Sequence, residues 1–493
     1  MERPLLATSH SLSAIASLLG TTSPETDLEI TGVSNNSSLV EPGDIFLAYP
    51  GAKVHGATFT KDAMRKGALA VITDLEGAKL STELPTIVVR NPRKTAGDLS
   101  AWFYSEPMRD IYSVGITGTN GKTTTTTLLH QIWMNSGSES GLIGTVGTRI
   151  GDEALSSTRT TPESCEIQSL IAVMRERHLR NVAMEISSHA LSLDRIQGSH
   201  FNIVGFTNLT QDHLDFHGDM ETYYLVKKKL FSFEFADLAV INIDSEYGAR
   251  LANEIDIPFL SVSRDATSAD WHYESIVATK SGTDVSIRGI GGILIEGTLP
   301  LHGDYNLDNA LMAIAIAIQS GVNPVEISSL LSQLTGAQGR LERIDVGQNF
   351  LTFVDYAHTP DAVRRVLETC RAMTQGKVIG VLGCGGDRDP SKRPLMGTAL
   401  VEGSDIAIFT SDNPRSENPK TILLQMVGSL KIAPPHTVIS DRRDAISQAI
   451  DFASGGDVVV VMGKGHETGQ EISGVVLPFD DRLILASAIE GKA

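Results

Sequence analysis

The stretch "GITGTNGKTTTT", residues 115–126, decides the fold. Before it, Ile111-Tyr112-Ser113-Val114 is β-branched and aromatic and predicts a strand. After it, Leu128, Leu129 and Ile132 recur on one helical face. Strand, glycine loop and helix in that order make a phosphate cradle: glycines let backbone N–H groups approach an oxyanion, and the helix N-terminus adds positive partial charge. The usual P-loop has a glycine five residues before Gly121, where this chain has Ile116. A glycine-rich turn with a surface lysine is the plainer alternative, but lysine and hydroxyl follow the last glycine in the order nucleotide chemistry requires. Gly118, Thr119, Asn120, Gly121, Lys122, Thr123 and Thr124 are therefore expected to form an ATP site, with Lys122 on the β/γ-phosphates and Thr123 on Mg²⁺.

Outward from that loop, 493 residues predict about three domains. Residues 1–108 hold short strands ("GDIFLAY", "LAVIT", "TIVVR") after an amphipathic first helix. Residues 109–340 alternate strand and helix ("NVAMEISSHAL", "FNIVGFTNL", "LAVINID"), which predicts a parallel α/β sheet, with antiparallel hairpins near 270–300. Residues 341–493 resume the alternation with "FLTFVDYAH", "KVIGVLGCGG", "DIAIFTSDNP", "HTVIS" and "DVVVVMGKGHE". Several strands end in Gly, Asp or Asn, where open α/β sheets place ligands.

Composition narrows the function. A net charge of −18 argues against nonspecific nucleic-acid or anionic-membrane binding, and requires each anion site to carry its own Arg, Lys or helix terminus. No apolar run approaches a membrane span, and the opening residues lack a signal-peptide pattern, so a cytoplasmic enzyme is expected. Three cysteines are too few for a disulfide framework or a zinc cluster.

Chemistry concentrates in two further clusters. "AMEISSHALSLDR", residues 183–195, gathers Glu185, Ser187, Ser188, His189 and Arg195; "TNLTQDHLDFHGD", residues 207–219, adds two His and three Asp. Singly, such residues are more often structural. Crowded at the sheet edge of an ATP loop, they favour a second-cation or substrate site. The helix text "METYYLVKKKLF" carries three lysines that ordinarily mark a solvated face.

"GTNGKTT", "EISSHAL", "TNLTQDHLDFHG", "GDYNLDNA", "GAQGRLE", "DYAHTPDA", "GCGGDRDPSKRPLMG", "SDNPR" and "GKGHE" occur in the order and spacing of the Mur ligases, and the chain resembles that family over essentially its whole length. The resemblance implies an N-terminal UDP-binding α/β domain, a central P-loop ATPase-like parallel sheet with an antiparallel addition, and a C-terminal Rossmann-like domain. It is closest to the enzymes that add the third amino acid. These join meso-2,6-diaminopimelate to the D-glutamyl γ-carboxylate of UDP-N-acetylmuramoyl-L-alanyl-D-glutamate through an acyl phosphate. The other readings are an L-lysine-adding relative, a folylpolyglutamate-synthetase-like ligase and, from the loop alone, a P-loop switch or transport ATPase.

Carried over residue by residue, the resemblance implies that CO₂ carbamylates Lys227, which with Glu185 and His213 would hold a second Mg²⁺. Asn306 and Asn309 would meet the adenine side of ATP, and Arg340 and Asp355 would close on the nucleotide. Ser37, Thr160, Thr161, Ser187 and Arg195 would bind the UDP-muramoyl dipeptide. Arg388, Asp412, Asn413, Pro414, Arg415, Gly463 and Glu467 would bind diaminopimelate, with Arg415 reading its distal carboxylate and Glu467 an ammonium group. Two departures stand out. Asn36-Ser37-Ser38 replaces the common Asp-Ser-Arg, and Leu193 stands where a glutamine is common, so another group must compensate in the dipeptide pocket. A monomer is expected.

Overall fold

The computed structural model describes every residue except 1, 6, 7, 23, 52, 82, 156, 158, 280, 281 and 493. Three main sheets follow one another along the chain, each with helices packed on it. In the first, Gly32–Ser34, Asp44–Ala48, Ala70–Thr73 and Thr86–Val88 pair in parallel and in chain order. Both faces of Asp44–Ala48 are covered, so it reads as a continuous apolar run without alternation. Helix Leu12–Leu18 is capped by Ser11, whose hydroxyl accepts from the Ala14 amide, and buries Leu12, Ile15 and Ala16.

The central sheet has eleven strands. Seven are parallel: Ser140–Gly144, Asn181–Glu185, Tyr112–Thr117, Phe201–Phe206, Ala236–Asn242, Phe259–Ser263 and Trp271–Thr279, in that spatial order. Antiparallel strands extend both edges. Gly147–Ile150 and Glu153–Leu155 lie on one side, and Gly282–Arg288 and Leu294–Leu299 on the other; the latter pair forms the expected hairpin region. Tyr112–Thr117 sits in the middle, and later strands are laid down on both its sides. The carboxyl ends of it and its two neighbours therefore form the crevice where open sheets bind ligands. Helix Lys122–Asn135 and the alanine-rich helix Asp304–Gln319 share one core with this sheet, in which Leu128, Leu129, Ile132, Trp133 and Ile316 are fully enclosed. Each such large apolar side chain stabilises the fold by roughly 1.5–3 kcal/mol. That packing fixes the phosphate loop at its root.

The third sheet orders Glu342–Arg343, Leu351–Asp355, Val458–Met462, Val378–Cys384, Ile406–Ser411 and Thr437–Val438, parallel except for the first pair. Val458–Met462 lies inside and is wholly buried, as its unbroken β-branched run requires. The strand expected in "HTVIS" shrinks to two residues, because it lies at the sheet edge and pairs on one side only. Among the described residues, no helix is long and apolar enough to cross a membrane.

Candidate active site

Strand Tyr112–Thr117 carries Ile116 inside the sheet, fully buried, so the turn itself is only Gly118–Gly121. This explains the missing first glycine: the position belongs to the strand. Gly121 has φ +89°, and a Cβ there would fall 2.2 Å from Asn309 Oδ1, so only glycine fits. The loop is stitched to the next strand's exit. Thr119 N–H donates to the Asn208 carbonyl (2.9 Å), Asn120 N–H to Asn208 Oδ1 (3.0 Å), and Thr207 Oγ1 to the Asn120 carbonyl (2.6 Å). The helix starting at Lys122 has no side-chain cap, which leaves its first-turn N–H groups for an anion. Lys122 Nζ folds back to donate to the carbonyls of Gly118 (2.9 Å) and Thr119 (2.8 Å). Desolvation lowers its pKa, Glu185 and Asp212 oppose that shift, and Arg340 adds to it. Thr124 is buried and lines the same cavity as the loop.

Thr123 Oγ1 donates to Glu185 Oε2 (2.9 Å), and Thr145 donates to both oxygens of the same carboxylate, from its N–H at 2.7 Å and its hydroxyl at 3.1 Å. Thr145 and Thr160 share a hydroxyl contact (3.0 Å), while Thr161 Oγ1 donates to the Glu185 carbonyl (2.8 Å) and accepts from Ser187 N–H (3.0 Å). Ser187 also caps a short helix, accepting from the Ala190 amide.

Of the three lysines, Lys229 is exposed and Lys228 half-buried, whereas Lys227 turns inward. It is 1 % exposed, donates to the Gly118 carbonyl (2.9 Å), and lies over the Tyr223 ring. Desolvation, with Lys122 nearby, pushes its pKa well below the ordinary lysine value. Helical spacing holds the signal that finds it, since Tyr223 and Lys227 are four apart and share the buried face. His213 adopts φ +53°, packs edge-on against His189, and is pulled down to about 4, chiefly by burial. Neither Lys227 nor His213 shares a hydrogen bond or ion pair with Glu185, whose oxygens go to threonines. Among the described residues, no three His, Cys, Asp or Glu side chains are grouped to hold a metal by themselves. That donor set still suits Mg²⁺, which is held by one or two carboxylates together with substrate phosphates and waters.

These groups line one side of a cavity of about 480 Å³ whose other wall comes from the third sheet: Arg340, Asp355, Tyr356 and His358. Arg340 stacks over the Tyr356 ring at 4.5 Å. Asp355, buried, accepts from the amides of Leu341 (2.6 Å) and Ala357 (2.7 Å), and burial raises its pKa. Asn309 lines the cavity. Asn306 is buried, and its amide nitrogen donates to the carbonyl of His302 (2.9 Å), just ahead of helix Asp304–Gln319. Sequence reading missed Asp212 and Lys392, whose ion pair (3.0 Å) joins the central and third sheets. Burial would raise Asp212, but His213, His358 and Lys392 together hold it at about 2.

A second cavity, about 800 Å³, lies between the first and central sheets and is lined by Ser34 to Ser37, Lys53, Arg93, Arg159 and Glu163. Asn36 Oδ1 accepts from Ser38 N–H and Oγ in a local turn, so the departure at 36–38 is self-contained. Lys53, Arg93 and Arg159 supply cations that the lost arginine does not. Arg195 does not stand open. Its Nε pairs with Glu163 (3.0 Å) and its Nη1 donates to the Thr161 carbonyl (3.3 Å). Arg93 Nη1 donates to the other Glu163 oxygen (3.0 Å) and lies 3.5 Å from the Leu193 carbonyl, beside the position whose amide is missing.

In the third sheet, Asp412 to Arg415 and Gly463 to Glu467 leave the ends of the two strands that flank Val378–Cys384. A Cβ on Gly463, at φ +118°, would meet Asp412 Oδ2 at 2.4 Å, so glycine lets the two motifs touch. Asn413 Nδ2 donates to Glu467 Oε2 (2.6 Å), and Pro414 is buried. The same Glu467 oxygen accepts from Lys464 Nζ (3.1 Å), so an internal ammonium already neighbours the carboxylate expected to meet the ligand's. Arg415 Nη1 donates to the Gly386 carbonyl (2.7 Å) and its Nε lies 3.4 Å from Glu471. Arg388 is exposed on the adjoining loop.

Three family signatures match in chain order: the Mur ligase family catalytic domain over 29–104, the Mur ligase middle domain over 116–317, and the Mur ligase glutamate ligase domain over 339–465. A relative from Streptomyces coelicolor, UDP-N-acetylmuramoyl-L-alanyl-D-glutamate–2,6-diaminopimelate ligase, is 45% identical over 99% of this chain and 98% of its own. The chain belongs to the Mur ligase family. Relatives of the same description from Corynebacterium efficiens (43%, covering 93% of this chain and 90% of its own) and Bacillus licheniformis (40%, 94% and 95%) agree. A solved structure of such a ligase superposes with TM-score 0.70 at 31% identity, covering 98% of this chain and 99% of its own. The MurF ligase of Thermotoga maritima in complex with ADP superposes with TM-score 0.64 at 17% identity, covering 94% and 98%, and so shares the fold. In this Mur ligase, the phosphate loop, the Glu185 threonine cluster and the third-sheet wall thus meet at one cavity.

Proposed function

We propose that this Mur ligase adds meso-2,6-diaminopimelate to the D-glutamyl γ-carboxylate of UDP-N-acetylmuramoyl-L-alanyl-D-glutamate at the expense of ATP, in cytoplasmic peptidoglycan-precursor synthesis. Its working units are residues 1–108, 109–340 and 341–493. The observation that carries the reading is the cavity at which the uncapped phosphate loop and Glu185 face Arg340, Asp355 and Tyr356. The curated relatives of the same description support the substrate assignment.

The γ-carboxylate attacks the γ-phosphorus of ATP, ADP leaves, and an acyl phosphate forms. The amine of diaminopimelate then adds to the acyl carbon, losing a proton, and phosphate leaves as the amide forms. Lys122 leaves its two loop carbonyls to meet the transferring phosphoryl group, a gain made largest where charge develops in a desolvated site. Bound Mg²⁺ supplies charge neutralisation on the phosphates, and Thr123 with Glu185 would hold it. Burial and the neighbouring Lys122 lower the pKa of Lys227 and so favour its free amine; that nitrogen would bond the carbon of CO₂ and release a proton, leaving a carbamate with oxygens of the kind a hard cation prefers. Arg340 and Asp355, from the linker and third sheet, close over the nucleotide and keep water from the acyl phosphate. Ser37, Thr160, Thr161, Ser187 and Arg195 orient the muramoyl dipeptide; Arg195 exchanges Glu163 for a ligand carboxylate, and Arg93 stands by where Leu193 gives no amide.

The test is phosphate release measured with each substrate omitted in turn. Release that needs ATP, the UDP-muramoyl dipeptide and diaminopimelate together is expected. Steady release from ATP alone would favour a simple ATPase.

A further inference from the structure

Arg442 and Asp481 lie outside every motif described above, and both side chains are fully buried. Arg442 opens helix Arg442–Phe452 and Asp481 opens helix Asp481–Lys492. Their pairing is bidentate, with Nε to Oδ1 at 2.8 Å and Nη2 to Oδ2 at 2.6 Å. The guanidinium reaches further: Nη1 donates to the Ser411 carbonyl (3.1 Å) and Nη2 to the Met462 carbonyl (3.0 Å). Ser411 and Met462 are the last residues of strands Ile406–Ser411 and Val458–Met462, which do not pair with each other but flank Val378–Cys384. The residues that follow them are Asp412 and Gly463, the first residues of the two loops assigned to diaminopimelate.

We propose that Arg442, oriented by Asp481, is a positioning residue for amino-acid recognition: it ties the roots of the 412–415 and 463–467 loops across the intervening strand and sets their separation. The proposal rests on reading those loops as the diaminopimelate site. A buried ion pair is weak support for stability, since well-packed apolar replacements often do as well. What an apolar pair cannot do is bond two strand-end carbonyls at once. The planar fork can, because its five N–H donors have fixed directions. Lys464 adds a second tie on the same framework, donating to Asn413 Oδ1 (3.1 Å) and the Gly469 carbonyl (2.6 Å) from a fully buried position. The spacing between Asp412 and Glu467 is thus set from below by two internal cations.

The test compares two nucleophiles in the full-length enzyme. Hydroxylamine traps the acyl phosphate as a hydroxamate, releasing phosphate without using the amino-acid pocket; diaminopimelate requires it. Arg442→Lys keeps the charge and loses the fork. Its kcat/KM for diaminopimelate is expected to fall about 10- to 100-fold, the scale of a misplacement near 1 Å. Hydroxylamine-supported release and the KM for ATP should stay within twofold. Asp481→Asn, which keeps the shape, should move in the same direction by less, and the Arg442→Met/Asp481→Leu pair, which leaves no orphan charge, should fold and show the same selective loss. Equal losses with both nucleophiles, no loss with either, or unfolding of all three variants would overturn the proposal and leave the pair a purely structural one. Wild-type enzyme that uses L-lysine as well as diaminopimelate would instead overturn the reading of the loops.

Discussion

Arg415→Ala tests how the distal carboxylate of diaminopimelate is read. The guanidinium has five N–H donors. One on Nη1 goes to the Gly386 carbonyl (2.7 Å), and Nε faces Glu471 at 3.4 Å. Both donors of Nη2 and the second of Nη1 have no protein acceptor among the described residues, the fork a carboxylate accepts bidentately. Each hydrogen bond to a charged group contributes about 1.5–3 kcal/mol. The side chain is 23% exposed, so solvent screening reduces the pair to about 2–3 kcal/mol in total. At 1.36 kcal/mol per decade, kcat/KM for diaminopimelate should fall about 30- to 160-fold. Arg415→Lys should recover only part of this, since it restores charge without the fork. Coupled phosphate-release kinetics with ATP and then the amino acid varied separate the effects, and KM for ATP should hold steady. An alanine variant within about threefold of wild type for diaminopimelate, or one that loses ATP affinity equally, would refute the reasoning.

Lys122→Ala should cut ATP-dependent phosphate release by at least about 100-fold, the scale of losing one preorganised donor. Its melting temperature should be nearly unchanged, because Lys122 contacts only its own loop's carbonyls; near-normal turnover would remove it from the mechanism. Lys227 should show a ¹³C carbamate resonance when the enzyme is equilibrated with labelled CO₂, and Lys227→Ala should lose both that signal and most activity; a wild-type spectrum without the signal would count against the carbamate. His130 is buried against Ser140 (2.7 Å) and its pKa is lowered to about 4, chiefly by burial. Its neutral form is favoured in the fold, so its contribution is complete above the unfolded value near 6.5 and is lost as pH falls toward 4. Between pH 7 and 4.5 wild type should lose about 2–3 kcal/mol more than His130→Asn in denaturant melts; parallel losses would show that His130 does not titrate this way.

Local sequence reports local structure. The phosphate loop, the strands that end in ligand residues and the 271–299 hairpins were legible, because glycine placement and β-branched runs act over a few residues. Long-range pairings were not. Glu163 gathers Arg93 from 70 positions before it and Arg195 from 32 after it, and Asp212 meets Lys392 across 180 positions. Nothing in the neighbourhood of either residue reports its partner. Lys227 lay between these cases: its three-lysine text suggested solvent, while the family resemblance placed it at the site. Asn309, on Asp304–Gln319, likewise meets the loop at Gly121 from far along the chain.

The most direct measurement of the central claim is a competition. The enzyme is given ATP, Mg²⁺, UDP-N-acetylmuramoyl-L-alanyl-D-glutamate and equimolar meso-diaminopimelate and L-lysine, and the products are resolved by mass. The account predicts the diaminopimelate adduct with little or no lysine adduct, because lysine leaves the Arg415 fork without its carboxylate. Equal amounts of both adducts would contradict it.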